Sequence, residues 1–354
     1  MKKISVMVAL GLAVNGWAGD RSGAAFLKIN PSVRGEALGG VNPISAFGAA
    51  GMSVNPAVLA LMTGHEAATG FASMLGGSSY GTLGLGWKRD GGSGVGMSAT
   101  FLRSGALEGR DMSGAKTGTF SAQDISVGVT RAWSLGARVR LGVTGKLVRQ
   151  EIGADASPWA PAGDLGAVVE TGALTWGLSA LNMGGKIRFQ GRETDVPRIY
   201  GLGVSLPLGG GLAALVGVTR FPGETTANLG TEYRLGPVSL RLGYRSDGGS
   251  GLAGGARKAG AQFLGGVTGG IGIYVRNMRI DYAVSQTAVE WGLSQRAGLT
   301  WKWGGQPQEE KPRKRLSVLR KRPASRSGSS VTTGSRSAYD TALTKKKSKK
   351  RWVD

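Results

Sequence analysis

Apolar and polar residues alternate with a period of two along most of the chain. In Ala137–Val148, Val139, Leu141, Val143 and Leu147 fall on one side, and Arg138, Arg140, Thr144 and Lys146 on the other. Val238, Leu240, Leu242 and Tyr244 oppose Ser239, Arg241, Gly243 and Arg245. Met278, Ile280, Tyr282 and Val284 oppose Arg279, Asp281, Ala283 and Ser285, and the last run sets Leu299, Trp301 and Trp303 against Arg296, Thr300 and Lys302. A helix would bring these charges onto its apolar side, so each run predicts a strand. About fourteen such segments can be placed, near 66–75, 79–88, 94–103, 121–133, 137–149, 163–170, 173–184, 197–206, 212–221, 225–235, 237–245, 263–275, 277–286 and 292–303. Short linkers such as Glu170-Thr171-Gly172 and Leu235-Gly236-Pro237 suit antiparallel hairpins between consecutive strands. An even number of roughly ten-residue strands predicts an all-β, up-and-down antiparallel transmembrane barrel.

One long piece does not alternate. Ala24–Met62 is rich in small residues and has Asn-Pro twice. Asn55 and Pro56 suit the cap and first position of a short helix through Ala57, Leu59 and Met62. The segment is predicted to plug the lumen, with Asn55, Pro56, Ala57 and Leu59 as its structural or gating residues. Inward positions of the strands are often small (Gly84, Gly86, Gly96, Ser98, Gly128, Gly177, Ser179), which leaves room for a plug. Glycine is 63 of 354 residues, well above the usual ~7%, with no collagen-like period.

Cysteine is absent and His65 is the single histidine, so a disulfide framework, a Cys-based metal site and a His-rich zinc site are excluded. The motifs imply no cofactor or metal, and no catalytic constellation stands out, so a non-enzymatic protein is expected. Met1–Ala18 has two lysines, an apolar core and a small-residue cleavage pattern, which predicts a secretory signal peptide. No run of 18 apolar residues follows it, so no transmembrane helix is expected. Aromatics at segment ends (Trp87, Phe101, Trp133, Phe221, Tyr244, Tyr274, Trp301, Trp303) match belts at two lipid–water interfaces. The strand phases turn Arg138, Arg140, Lys146, Arg241, Arg245, Arg279, Arg296 and Lys302 inward, with Glu232 and Asp281 as partial counter-charges. These bases are candidates either for attracting anionic ligands or for ion pairs with the plug and neighbouring strands.

Two stretches resemble a known family. Phe26-Leu27-Lys28-Ile29, Arg34, Ala37-Leu38-Gly39-Gly40 and Asn55-Pro56-Ala57-Val58-Leu59 are similar to the N-terminus of PorV/PorQ-type outer-membrane proteins, relatives of the FadL long-chain fatty-acid channel. Arg279-Ile280-Asp281-Tyr282-Ala283 and Gly292-Leu293-Ser294-Gln295-Arg296 resemble that family's closing hairpin. Val58 departs from the pattern's glycine, and no acidic run precedes Asn55. The resemblance implies a fourteen-stranded barrel with an internal hatch. It further implies either a type IX-like secretion component that binds exported cargo, or a channel that moves hydrophobic molecules to a lateral opening.

Residues 305–354 hold 15 Lys and Arg against four acids, a net of +11 out of the chain's +22. Too few apolar residues are present to bury a core, so a disordered tail is expected. Lys345, Lys346, Lys347, Lys349, Lys350 and Arg351 are candidates for binding an anionic cell-wall polymer, lipid head groups or an acidic periplasmic partner. An exported chain makes nucleic acid an unsuitable partner. The expected organisation is a signal peptide (1–18), a plug (19–65), a barrel in the outer membrane (66–304) and a basic tail (305–354), with both mature termini periplasmic. The leading functional expectation is a secretion-associated protein-binding barrel. A channel for hydrophobic or amphipathic small molecules is the alternative, and a soluble periplasmic β protein a third reading.

Overall fold

The computed structural model describes residues 22–74, 77–246, 266–288 and 292–305. The signal peptide, the Gly248–Gly255 loop and the basic tail, Lys345–Arg351 included, lie outside the described residues.

Fourteen strands form the wall: β1 (His65–Ser73), β2 (Ser79–Arg89), β3 (Ser93–Arg103), β4 (Ala122–Leu135), β5 (Val139–Ile152), β6 (Ala160–Thr171) and β7 (Leu174–Gly184) in the first half. The second half has β8 (Ile199–Gly209), β9 (Leu212–Phe221), β10 (Glu224–Leu235), β11 (Val238–Arg245), β12 (Val267–Val275), β13 (Met278–Ala288) and β14 (Gly292–Trp303). Each pairs antiparallel with its chain neighbours, and β1 pairs with β14 from His65↔Trp303 to Ser73↔Gln295. The sheet therefore closes on itself and leaves no edge, which removes the unpaired N–H and C=O groups that a membrane would not tolerate. At the turn end of the barrel, strands are joined by two- or three-residue links such as 172–173 and 236–237. Gly172 and Gly236 there take φ of 61° and 57°, the left-handed region that tight hairpin turns require.

The opposite, loop end holds structure that strand alternation did not signal. The hairpin Leu107–Arg110 with Lys116–Phe120 joins β3 to β4, and Lys186–Phe189 with Arg192–Asp195 joins β7 to β8. Their four- and five-residue strands are too short to display a periodicity above that of a polar loop.

The wall is apolar outside and polar inside. Leu240 and Leu242 are 50% and 60% exposed, while Ser239 and Arg241 between them are 0% and 5% exposed. Ile280 and Tyr282 face out in the same way, with Arg279, Asp281 and Ala283 turned in. An exterior of exposed Leu, Val, Phe and Trp this extensive is a lipid-facing surface. Two of the segment-end aromatics do not join it. Phe221 borders a cavity inside the barrel, and the Tyr274 hydroxyl accepts from Arg234 Nη2 at 3.3 Å with the guanidinium 5.0 Å from its ring.

The buried hydrophobic core is made by the N-terminal segment. Its first turn (Ala25–Lys28) lies at the loop end, where Phe26 and Ile29 pack with Tyr80, Val148, Ile187 and Val196. The helix α1 (Val33–Ala37) lies against β12 and β13, α2 (Asn42–Ser45) against β7 to β9, and the 3₁₀ helix Pro56–Leu61 against β4 to β6. The segment thus sweeps round the inner wall before leaving through the turn end into β1.

The path also sets where residue 23 stands. Gly23 N donates to Asp195 O at the loop end, whereas Trp303 closes β14 at the turn end beside His65. Residue 23 and Trp303 thus stand at opposite ends of the barrel, while the mature N-terminus expected at residue 19 lies outside the described residues. Even strand number places β1 and β14 together; it says nothing about a segment that runs the length of the lumen before β1 begins.

Candidate functional site

The lumen is where the sequence places its unusual residues, and three kinds of contact fill it. The first is close approach of backbone to backbone. An added Cβ at Gly230 would sit 2.7 Å from Leu38 O. Gly84, Gly142, Gly177 and Gly243 meet Ala49, Pro56, Pro43 and Gly39 in the same way, tighter still. At these points the wall is glycine because no side chain fits between it and the plug. Gly128 is different: it is bordered by Ser98, Thr144 and Lys146, not by the plug.

The second kind is a set of amide and hydroxyl contacts around the Asn-Pro turns. Asn55 is fully buried, and its Oδ1 accepts from Ala57 N at 3.1 Å, capping the 3₁₀ helix that Pro56 opens. Asn55 Nδ2 donates to Pro43 O at 2.7 Å and to Ala167 O of β6 at 3.2 Å. One side chain therefore ties both Asn-Pro turns to the wall. Ala57 and Leu59 are buried in the two apolar clusters on this side of the plug.

The third kind is ionic. Arg34 of α1 makes a fork with Glu232 of β10, Nε–Oε1 at 3.1 Å and Nη2–Oε2 at 2.5 Å, and its Nη1 donates to Ser45 O. Glu232 also accepts from Arg241 Nε at 2.8 Å, Arg241 Nη1 reaches Asp281 Oδ1 at 2.7 Å, and Arg279 Nε reaches Asp281 Oδ2 at 2.8 Å. Beside this chain, Glu36 of α1 lies 3.4 Å from Arg296 Nη2 and 3.8 Å from Arg245 Nη1, and Arg296 Nη1 donates to Asn30 O at 2.6 Å. Burial alone would raise the Glu36 carboxyl; Arg296 and Arg245 outweigh it and hold the group below the usual carboxylate range.

On the far side, Lys146 pairs with Asp164 at 2.7 Å and donates to Asn182 Oδ1 at 2.5 Å. Asn182, at φ 60°, sits in a bulge where the β6–β7 register shifts, and its own N–H donates to Asp164. These groups and Tyr80, with apolar neighbours such as Leu181 and Ile199, border a cavity of about 50 Å³ under the first turn of the plug.

Of the basic residues expected to face inward, Arg241, Arg279 and Arg296 are buried among plug contacts, Arg245 lies beside Glu36, and Lys146 borders the cavity. Arg140 pairs with Glu170 at 3.1 Å near the turn end. Arg138 is exposed in the turn after β4 and is not a lumen residue; the alternation that assigned it ran one step past the start of β5. Lys302, half exposed, pairs with Glu66, whose Oε2 accepts from Ala49 N. His65 opens β1, its Nδ1 accepting from Lys88 N and its ring 5.8 Å from Trp303. Sequence reasoning missed Glu36, Asp164 and Asn182 as partners. For Glu36 a signal existed, since a charge inside a small-residue plug has to find a counter-charge in the wall.

A closed fourteen-strand wall with the chain's own N-terminal segment packed inside decides the fold comparison. This is the FadL-like barrel fold. The structure is similar to the channel for monoaromatic hydrocarbons CymD (TM-score 0.55, 13% identity, covering 78% of this chain and 98% of that one). It is likewise similar to the Pseudomonas putida toluene transporter TodX (TM-score 0.53, 12% identity, 76% and 97% covered). A Pseudomonas aeruginosa FadL homologue matches with TM-score 0.51 and 13% identity, 77% and 98% covered. No protein-family model and no curated protein matches the sequence. In this chain the wall surrounds a lumen packed by residues 33–61, with small cavities of about 30 and 50 Å³ among the described residues.

The outer face carries one further feature. Leu83, Ala99, Val127, Leu147 and Pro161 stand in register across β2 to β6, with Gly145 in the next row down beside Val129. They border an apolar groove of about 640 Å³ on the lipid side. An added Cβ at Gly145 would meet nothing within 4 Å. Ser98 and Lys146 border both this groove and the inner cavity, so the thickness of one strand wall separates the two.

Proposed function

We propose that the protein is an outer-membrane channel of FadL-like type that takes up hydrophobic or amphipathic small molecules. The observation that carries the reading is the closed wall with the N-terminal segment folded inside it, the architecture of barrels that include a toluene transporter and a monoaromatic hydrocarbon channel. The entry side is the loop end, where Phe26, Ile29, Ile187 and Val196 close the mouth as a buried apolar cluster that an entering molecule would have to part. The polar contacts of the plug's first residues there include Gly23 N to Asp195 O and Ala24 N to Gln150 Oε1. Residues 33–61, pinned by buried ion pairs, stay in place while the first turn yields. Release runs from the inner cavity through the wall near Lys146 into the apolar outer groove and so into lipid. In the described state the wall there is continuously paired, so passage requires strand separation beside Ala162 and Gly163.

Reconstituted vesicles test this. Flux of toluene or oleate should exceed that of protein-free vesicles, and Gly145→Leu, whose Cβ has open space and whose side chain extends into the outer groove, should lower it while the barrel keeps its heat-modifiable gel mobility. Flux no greater than in protein-free vesicles sinks the reading.

A second reading, a protein-binding barrel of PorV/PorQ type, is supported by the two hairpins at the loop end. The 107–120 hairpin is almost wholly exposed, with Met112 at its tip. Affinity capture of secreted proteins by the full chain, lost on replacing residues 107–120 with a short linker, would favour it. The same capture with and without residues 306–354 tests the tail as a site for acidic partners or anionic polymer.

A further inference from the structure

Two arginines stand on the lipid-facing side of the wall at its turn end. Arg131 follows Val127 and Val129 along the outward face of β4, and Arg89 follows Leu83, Leu85 and Trp87 along that of β2. Between them, β3 sets Val95 opposite both Trp87 and Arg131, and Ser93 opposite Arg89. Trp133 comes next after Arg131 on the same face, its ring centroid 5.7 Å from the Arg131 guanidinium carbon. An arginine and a tryptophan thus rise on each side of a floor made by Ser93 and Val95. Tryptophans in such a position mark the level of the lipid headgroups.

Both arginines are exposed, and among the described residues neither has an ion pair or a side-chain hydrogen bond. Asp90, in the turn after Arg89, pairs with neither. The outward residues beside Arg131 on β5 and β6 are Val143 and Leu165, which bring no charge. A charge on the lipid face of a barrel is tolerated only near the interface, where a long side chain can reach an anionic oxygen. Directly behind the arginines, on the side away from the turn end, opens the apolar groove of about 640 Å³. Leu85, Met97, Val129 and Gly145, in register one row from Arg131, all border it. A positive head site that continues into an apolar groove over the same strands has the form of a lipid.

We propose that this face of β2 to β5 binds an anionic phospholipid, its phosphodiester held by Arg89 and Arg131 across β3 and an acyl chain laid in the groove. Neighbouring strands lie about 4.8 Å apart, so the backbones of β2 and β4 are roughly 10 Å from each other, a gap that two arginine side chains and one phosphate span. The guanidinium fork suits phosphate oxygens, and the pair gives two positive charges to one site. A zwitterionic headgroup brings its own ammonium into that surrounding, so phosphatidylglycerol is favoured over phosphatidylcholine. The proposal requires only the barrel in lipid and does not depend on what the protein transports.

The test titrates the full chain in detergent micelles with phosphatidylglycerol and with phosphatidylcholine of the same chains, counting bound lipid by native mass spectrometry. Phosphatidylglycerol should bind more tightly. Arg89→Gln with Arg131→Gln should weaken it by about fivefold for each charge removed. Arg138→Gln with Arg276→Gln takes away two exposed charges elsewhere at the turn end and should leave the affinity unchanged, which separates the site from general attraction by a basic chain. Gly145→Leu, extending into the groove, should weaken binding with no change of charge. Heat-modifiable gel mobility confirms that each variant keeps its barrel. Equal affinity for the two lipids, equal losses from the two arginine pairs, or full affinity in Gly145→Leu overturns the proposal.

Discussion

Arg34 and Glu232, 198 residues apart, meet through two parallel N–H···O contacts inside the barrel. Arg34 comes from a five-residue helix of the plug and Glu232 from the inner face of β10. Their side chains are each 8% exposed, so the pair is shielded from salt as well as from water. Removing one partner leaves the other charged and buried. Arg34→Met is expected to destabilise the plugged barrel by about 3–5 kcal/mol, and Arg34→Met with Glu232→Met together by less than the sum of the single changes. Urea titration followed by heat-modifiable gel mobility measures both; additive single effects would show that the two residues act independently.

Glu36 sets a pH dependence whose sign follows from its surroundings. Its carboxyl is lowered in the folded chain, against burial, by Arg296 and Arg245. The stabilisation is present above the unfolded value of about 4.3 and is lost as pH falls through the lower folded value. Glu36→Gln should therefore melt below the natural chain at pH 7, and the gap between the two midpoints should close as the pH is lowered into the acid range. A gap that stays constant to pH 2 would remove Glu36 from the account.

The glycine seam predicts an asymmetry between the two faces of the wall. Gly142→Val or Gly177→Val forces a side chain against the plug backbone at Pro56 or Pro43, and overpacking of this kind costs about 1–3 kcal/mol or expels the plug. Gly145→Leu, three residues along from Gly142 but pointing outward, should leave stability unchanged within about 0.5 kcal/mol. Limited proteolysis of residues 22–62 in each variant distinguishes a displaced plug from an intact one.

Asn55 supports two turns and one strand with a single side chain. Asn55→Ala removes the cap on Ala57 N and strands the Pro43 and Ala167 carbonyls that Nδ2 satisfies, so a loss of about 2–3 kcal/mol is expected. Asn55→Asp keeps the cap but not the donor and should fall between the two. If Asn55→Ala melts with the natural chain, the Asn-Pro turns are held by packing alone.

Much of this architecture is legible from residue order alone, because a strand's period of two is a local property. Wherever Leu240 and Leu242 are to meet lipid, Ser239 and Arg241 must face inward, and residue order states this without reference to any other strand. The same holds for the non-alternating Ala24–Met62 and for Asn55 capping the helix that Pro56 opens, since cap and helix are neighbours in the chain. What the tertiary structure alone decided is which groups meet across the lumen. The Arg34–Glu232 fork, the Glu36 cradle of Arg245 and Arg296, and the Lys146–Asp164–Asn182 corner join residues that closure of the sheet brings together. The placement of residue 23 at the loop end was equally out of reach, because strand parity constrains the wall and not a segment threaded through it. Local period is written in every pair of neighbouring residues, whereas partners across a lumen depend on register summed over fourteen strands, and that quantity exists only once the barrel has closed.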